Sequence, residues 1–162
     1  MSARIVVRPV RRPVRRPALA LCALLTALAC GSTQALEFKS VGNDPAIAYD
    51  APGMKGRKMF AVPRGMPVET ILPYGDWTKV RDSAGDLFWL ETKGLTSKRT
   101  LVVKVANAKI HATADDASPL AFTADKGVLL EMAEPANAGW IKVRHRDGQV
   151  GYAKIGEVWG GN

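Results

Sequence analysis

The chain has 162 residues, with 23 lysines and arginines against 15 acidic residues and a formal charge of +8, a balance that nucleic-acid-binding proteins often show. Six of the arginines fall in residues 1–17, and from Leu36 onward 17 basic side chains face 15 acidic ones, or +2. The positive charge therefore belongs largely to the N-terminus, and composition argues against nucleic acid as a partner.

The N-terminus has the pattern of a secretory signal peptide. A basic start is followed by Ala18–Ala29, 12 apolar or small residues, and then by small residues at a cleavage site, Thr33-Gln34-Ala35. The apolar run is too short to cross a bilayer, which needs roughly 20 residues. We predict that residues 1–35 are a signal peptide, that the chain has no membrane span, and that the mature protein is periplasmic or secreted.

Both cysteines, Cys22 and Cys30, lie in this leader. Cleavage after Ala35 would leave a mature chain without a disulfide, a thiolate metal site or a cysteine nucleophile. The run Leu28–Ser32 also resembles a bacterial lipoprotein signal, in which Cys30 would be acylated and would anchor the protein to a membrane. Cleavage after Ala35 and a lipid anchor at Cys30 both stay open.

The predicted β-structure begins with a β-prone entry, Phe38–Val41, and continues through Ala46–Tyr49 to a turn at 50–53 and a basic loop, Lys55–Lys58. Further strands are predicted from alternating apolar residues and the turns between them. In the first half these are Pro67–Leu72, Trp77–Arg81 and Leu87–Leu90; in the second half they are Leu101–Val105, Gly127–Met132, Ile141–Arg144 and Val150–Ala153.

These strands belong to an internal repeat. Trp77–Arg81 and Trp140–Arg144 share Trp-x-Lys-Val-Arg, and each runs through a glycine turn, at Gly85 and Gly148, into a segment that ends on an aromatic residue. The offset between the copies is 62 before the tryptophan and 63 after it, so the second copy has one extra residue within 136–138. Because a one-residue slip turns a strand's side chains to the other face, we expect this insertion in a loop.

Short strands about ten residues apart predict an all-β fold, with at most one helical turn, near Lys93–Leu95. Asp147-Gly148 predicts a tight hairpin in which both residues take positive φ. Each copy has about 60 residues, near the lower limit for independent folding, so we expect the copies to share an apolar interface. The predicted boundaries are 36–95 for the first domain, 96–100 for a linker and 101–159 for the second.

The repeated Gly-x-Trp-x-Lys-Val-Arg, followed by a glycine turn and an aromatic residue, resembles the second half of bacterial SH3-like (SH3b) domains. Asp147–Tyr152 is similar to their Gly-x-x-Gly-Trp segment, with Tyr152 in place of tryptophan, whereas Gly85–Trp89 lacks the second glycine. Ala46–Pro52 keeps the proline of the family's opening segment but has Tyr49 where arginine is usual. The resemblance implies two five-stranded barrels in tandem and a binding role in the cell envelope, toward peptidoglycan, its peptides or a protein.

The candidate ligand-binding residues are aromatic side chains and one histidine, because rings pair a large apolar face with a polar atom. They are Tyr49, Tyr74, Trp77, Trp89, His111, Trp140 and Tyr152. Trp77 and Trp140 also suit a barrel core, and we favour the core for both. Tyr49 and His111, at the family's arginine position, and Tyr74, in a loop, are expected to line an exposed groove.

No catalytic, cofactor or metal site is predicted. The two histidines, His111 and His145, fall at different places in the repeat, and neither cysteine nor a suitable carboxylate set accompanies them. Asp115-Asp116 and the pair Asp82 and Asp86 are typical of turns. The sequence therefore favours a non-catalytic module that binds the cell wall, with an adaptor between envelope proteins as the alternative.

Overall fold

The computed structural model of the protein describes residues 37–161. The predicted signal peptide, the cleavage site after Ala35 and the lipid anchor at Cys30 lie outside these residues. The described part is all-β, as predicted. It has two 3-10 turns, Thr92–Gly94 and Ile155–Glu157, where at most one helical turn was expected. Within residues 37–161, no helix has the length and apolar character needed to cross a membrane.

Residues 37–161 form two antiparallel sheets of seven strands, and the two sheets have the same strand order. The first sheet contains β1 (Glu37–Val41), β2 (Ala46–Tyr49), β3 (Lys58–Val62), β4 (Pro67–Tyr74), β5 (Trp77–Arg81), β6 (Leu87–Glu91) and β7 (Leu95–Thr96). The second contains β8 (Thr100–Val103), β9 (Ala108–His111), β10 (Leu120–Ala124), β11 (Leu129–Asn137), β12 (Trp140–Arg144), β13 (Val150–Lys154) and β14 (Val158–Trp159). The orders are β3-β2-β6-β5-β4-β1-β7 and β10-β9-β13-β12-β11-β8-β14.

Each sheet encloses its own hydrophobic core. The first core is built on Val80, Phe88 and Leu90, and the second on Leu101 and Ile141, all of them almost completely buried. Seven strands occur per sheet where the resemblance implies five. In the first sheet two strands were not predicted. One is β7, which has only two residues. The other is the edge strand β3, whose first four residues are exposed and whose sequence shows no apolar alternation.

The extra residue of the second copy lies in a strand, which corrects the expected loop insertion. The turns before the two tryptophans are equally long, because Tyr74 pairs with Trp77 and Asn137 pairs with Trp140. The β4–β5 ladder has one register shift, whereas the β11–β12 ladder has two, the second between Glu134 and Asn137. A β-bulge holds one unpaired residue without turning the rest of the strand over, so a strand accommodates the insertion.

The hairpin between β12 and β13 also differs from its prediction. Gly148 has a φ of 96°, but Asp147 is not among the residues with positive φ. The loop is wider than a two-residue turn, because the amide of His145 donates to the carbonyl of Gln149. The Asp147 carboxylate accepts the Gln149 amide instead and holds the loop together.

The two sheets meet through apolar and polar contacts. The rings of Phe38 in β1 and Trp159 in β14 pack edge to face at 5.0 Å, which is the apolar contact expected between the copies. The Thr100 hydroxyl donates to the Gly65 carbonyl at 2.7 Å and accepts from the Ser40 hydroxyl. Only residues 97–99 lie outside the strands between the sheets. The short connection and the hydrogen bonds of Thr100 therefore join the two sheets.

Candidate functional site

The repeated Trp-x-Lys-Val-Arg forms β5 and β12 near the middle of each sheet. Thr78 and Val80 of β5 are buried, while Trp77 and Lys79 are half-buried on the opposite side, so the predicted alternation is confirmed. The core placement that we favoured for Trp77 and Trp140 is wrong, because both rings lie outside the two hydrophobic cores. Each tryptophan contributes instead to the outer face of its sheet.

Tyr49 and His111 are only 3% and 6% exposed, so the expectation that they line an exposed groove is also wrong. The Tyr49 ring packs edge to face against Trp77 with centroids 5.0 Å apart, and His111 packs in the same way against Trp140 at 5.3 Å. Each residue ends the strand that pairs with β6 or β13, and its side chain is covered by the tryptophan. The two residues thus support the outer faces from beneath.

The outer face of the first sheet carries an aromatic pair with one mostly exposed ring. Tyr74, at the end of β4, is 63% exposed, and its ring lies 6.2 Å from the half-buried ring of Trp89 in an edge-to-face arrangement. The Lys79 ammonium lies 6.0 Å from the centroid of the same indole ring. Lys79 has no ion-pair partner among residues 37–161. Tyr74, Trp77, Lys79 and Trp89 are called the aromatic face below.

On the corresponding face of the second sheet, the lysines are already bound to acidic side chains. Asn137 takes the place of Tyr74, and Tyr152 takes that of Trp89. Lys142 lies 5.9 Å from the Tyr152 ring, but it also donates to Glu134, which raises the pKa of Lys142 through this hydrogen bond and through charge. The second face therefore offers a smaller ring and a lysine that is already paired.

The other cation of the second face is paired as well. Lys154 lies 5.6 Å from the Trp140 ring and forms an ion pair with Asp116, whose hydrogen bond raises the lysine's pKa. Sequence reasoning did not single out Lys79, Lys142 or Lys154. The signal for Lys79 and Lys142 was the repeat itself, because in a strand a lysine two residues after a tryptophan lies on the same face.

The two histidines bond to different parts of the second sheet. His111 Nδ1 lies 3.1 Å from the carbonyl oxygen of Ser118, so the ring donates there. His145 Nδ1 lies 2.9 Å from a carboxylate oxygen of Asp147. The backbone amide of Gln149, together with His145, lowers the pKa of Asp147 to about 2. Residues 37–161 contain no group of three histidine, cysteine or acidic side chains placed to hold a metal ion.

The sequence model of the bacterial SH3 domain family matches residues 104–160, which contain most of the second sheet. A search of curated proteins finds no match. The chain is also similar to the solved structure of NlpC1 from Trichomonas vaginalis, with 15% identity, a TM-score of 0.36, and coverage of 81% of this chain and 48% of that one.

Two further solved structures give similar values. NlpC2 from Trichomonas vaginalis has 16% identity and a TM-score of 0.36, with 78% of this chain and 49% of that chain covered. An NlpC/P60 family protein from Bacillus cereus has 12% identity and a TM-score of 0.35, with 75% and 55% covered. The chain thus spans about half the length of each of these proteins.

Proposed function

We propose that this protein is a non-catalytic tandem of two bacterial SH3-type domains, exported to the periplasm or beyond, that binds the cell wall. The match of residues 104–160 to the bacterial SH3 family supports the assignment of the second domain. The shared strand order of the two sheets and the repeated Trp-x-Lys-Val-Arg support the assignment of the first domain. The basic and apolar leader supports export.

The Tyr74–Trp89 pair carries the proposal. Edge-to-face rings leave a corner of apolar surface, and the tyrosine hydroxyl and the indole N–H are hydrogen-bond donors at its edges. Sugar rings and short peptides present apolar faces edged with polar groups, and such a corner is suited to hold them. Lys79 adds a positive charge beside Trp89, suited to the carboxylates of cell-wall peptides.

The two copies are proposed to have different roles. The first domain supplies the aromatic face, and the second contributes mainly by packing on the first through Phe38 and Trp159. The lysines of the second face are paired with Glu134 and Asp116, so a ligand there would have to displace existing ion pairs. Wall binding is therefore assigned to the first domain.

Retention on purified cell-wall sacculi tests this assignment. Replacing Tyr74, which is mostly exposed, removes ligand contact with little effect on folding, so Tyr74→Ala should lower retention roughly tenfold. The matched control is Tyr152→Ala on the second face, which should leave retention within about twofold. Equal loss in both variants, or retention of neither the variants nor the unmodified protein, would contradict the proposal.

An adaptor between envelope proteins is the second candidate, and the hairpin of β2 and β3 favours it. This hairpin exposes four large apolar side chains, Ile47, Met54, Met59 and Phe60, and β3 is an edge strand. Edge strands can pair with a partner's strand. If Met59→Lys abolishes capture of a specific envelope protein while retention on sacculi is absent throughout, the adaptor function replaces wall binding.

A further inference from the structure

A cavity of about 660 Å³ lies where the two sheets meet. Its walls come from the end of β1, the turn before β4, the connection between the sheets, the start of β11 and the end of β12. Small-molecule sites commonly have volumes of roughly 300–1,000 Å³, so this cavity has room for a compact ligand. None of the residues of the aromatic face lines it.

The cavity is strongly cationic. Four of its lining side chains are Arg64, Lys98, Arg144 and Arg146, and the one lining carboxylate is Glu131. Glu131 is already bound to Lys98 at 2.9 Å. Within the described residues no carboxylate lies within ion-pair distance of the three arginines. A cleft lined by charges of one sign concentrates the field and attracts a counter-ion.

The first sheet shows what Arg144 would ordinarily contact. Arg81, at the same position of the repeat, stands opposite Glu69 in the β4–β5 ladder and forms an ion pair with it at 3.1 Å. Glu131 and Arg144 stand opposite each other in the same way. In the second sheet, however, Lys98 from the connection takes the carboxylate. The guanidinium of Arg144 therefore lines the cavity without its cross-strand partner.

We propose that this cavity is a binding site for a small organic anion that carries carboxylates. The planar guanidinium donates two parallel hydrogen bonds that match a carboxylate. Arg144 and Arg146 lie on one wall of the cavity and Arg64 on the other, so each wall can hold one carboxylate of the ligand. The half-buried Leu129 provides an apolar surface for the ligand's body. Because both sheets contribute walls, the bound anion also stabilises their relative arrangement.

The test is an amide NMR titration of the protein expressed from its whole 162-residue sequence with N-acetyl-alanyl-glutamate, which carries two carboxylates. The expected result is a saturable set of shifts at Gly65, Gly127 and Leu129, weakened by added salt. The diamide of the same dipeptide has the same shape without the charges and should cause no saturable shifts.

Two variants locate the site. Arg144→Gln and Arg64→Gln should each lower the affinity about tenfold, because each removes a charge-assisted pair of hydrogen bonds. The matched control is Arg57→Gln, an exposed arginine outside the cavity that should leave the affinity unchanged. Absence of saturable shifts, equal binding of the diamide, or equal losses in Arg57→Gln and Arg144→Gln would overturn the proposal. Wall binding through the aromatic face can succeed or fail independently of these results.

Discussion

The two sheets have the same topology but fill their cores differently. In the first, the small Ala48 on β2 accompanies the large Phe88 on β6, and both are buried. In the second, the equivalent residues are Ile110 and Gly151. A Cβ on Gly151 would lie 2.7 Å from the Ile110 Cγ2. In the first copy the large side chain, Phe88, is on β6 and the small one, Ala48, is on β2. This exchange explains why the first copy lacks the second glycine of the SH3b pattern.

A second exchange replaces polar groups by apolar ones. Thr78 and Thr92 share a hydrogen bond of 2.8 Å inside the first sheet, whereas Ile141 and Ile155 occupy the equivalent positions and pack together in the second core. The second copy thus has the more apolar core, and the lysines of its outer face are held in ion pairs. The first keeps a pair of hydrogen-bonded threonines inside and the mostly exposed Tyr74 outside.

The largest expected effect on stability comes from giving the first core the residue sizes of the second. Phe88→Gly should reduce the free energy of unfolding by roughly 4 kcal/mol, because it leaves a large cavity in the first core. Adding Ala48→Ile should recover roughly 1–2 kcal/mol, since this pair reproduces the second core. Chemical denaturation measures both values. No recovery in the double variant would show that the two positions are not complementary.

The next comparison uses the two equivalent arginines. Arg81→Gln should cost about 2 kcal/mol, because the Glu69 side chain is 8% exposed and loses its ion-pair partner. Arg144→Gln should change the stability by less than about 0.5 kcal/mol, since Glu131 keeps Lys98. Native-state hydrogen exchange reports the change in each sheet. Equal costs would mean that Arg144 pairs with Glu131 in solution, which would also weaken the anion-site proposal.

The threonine pair should show an effect of intermediate size. Thr92→Val leaves the buried hydroxyl of Thr78 without a partner and should cost about 1–2 kcal/mol. The double variant Thr78→Val with Thr92→Val should return to within about 0.5 kcal/mol of the unmodified protein, because the two valines approximate the isoleucines of the second core. A double variant as unstable as Thr92→Val alone would show that the unpartnered hydroxyl of Thr78 is not the cause of the loss.

The smallest effect concerns Asp147 in the second sheet. Its pKa is lowered from 3.8 to about 2, so its stabilising contribution is complete above pH 4 and is lost as the pH falls toward 2. The backbone amide of Gln149 is the larger cause, and His145→Gln should therefore raise the pKa only part of the way to 3.8. A carboxyl NMR titration measures it. A complete return in His145→Gln would identify the histidine as the main cause.

Local patterns predicted the all-β fold and the alternation of the repeated strand, because alternation and turn residues act over a few positions. They did not show which side of that strand faces outward, and the core was wrongly favoured for Trp77 and Trp140. The extra residue was misplaced because a bulge leaves no local mark in the sequence. Tyr49 and His111 were assigned to an exposed groove because their cover, Trp77 and Trp140, comes from a strand about 28 residues away.

The candidate site was predictable only in part. Tyr74 and Trp89 were among the candidate residues, and the structure brings them together on one face. The cationic cavity was not predictable from either copy alone. It depends on Lys98, a residue of the connection, taking the carboxylate that stands opposite Arg144. Competition between two partners for one carboxylate is decided by the folded geometry, which the repeat pattern does not describe.

The most direct test of wall binding is an amide and indole NMR titration of the protein with soluble muropeptides and glycan chains. Binding through the aromatic face predicts saturable shifts of the Trp89 indole and the Tyr74 amide, with much smaller shifts at Tyr152 in the second sheet. A flat titration of the folded protein, or shifts confined to Tyr152 and its neighbours, would contradict it.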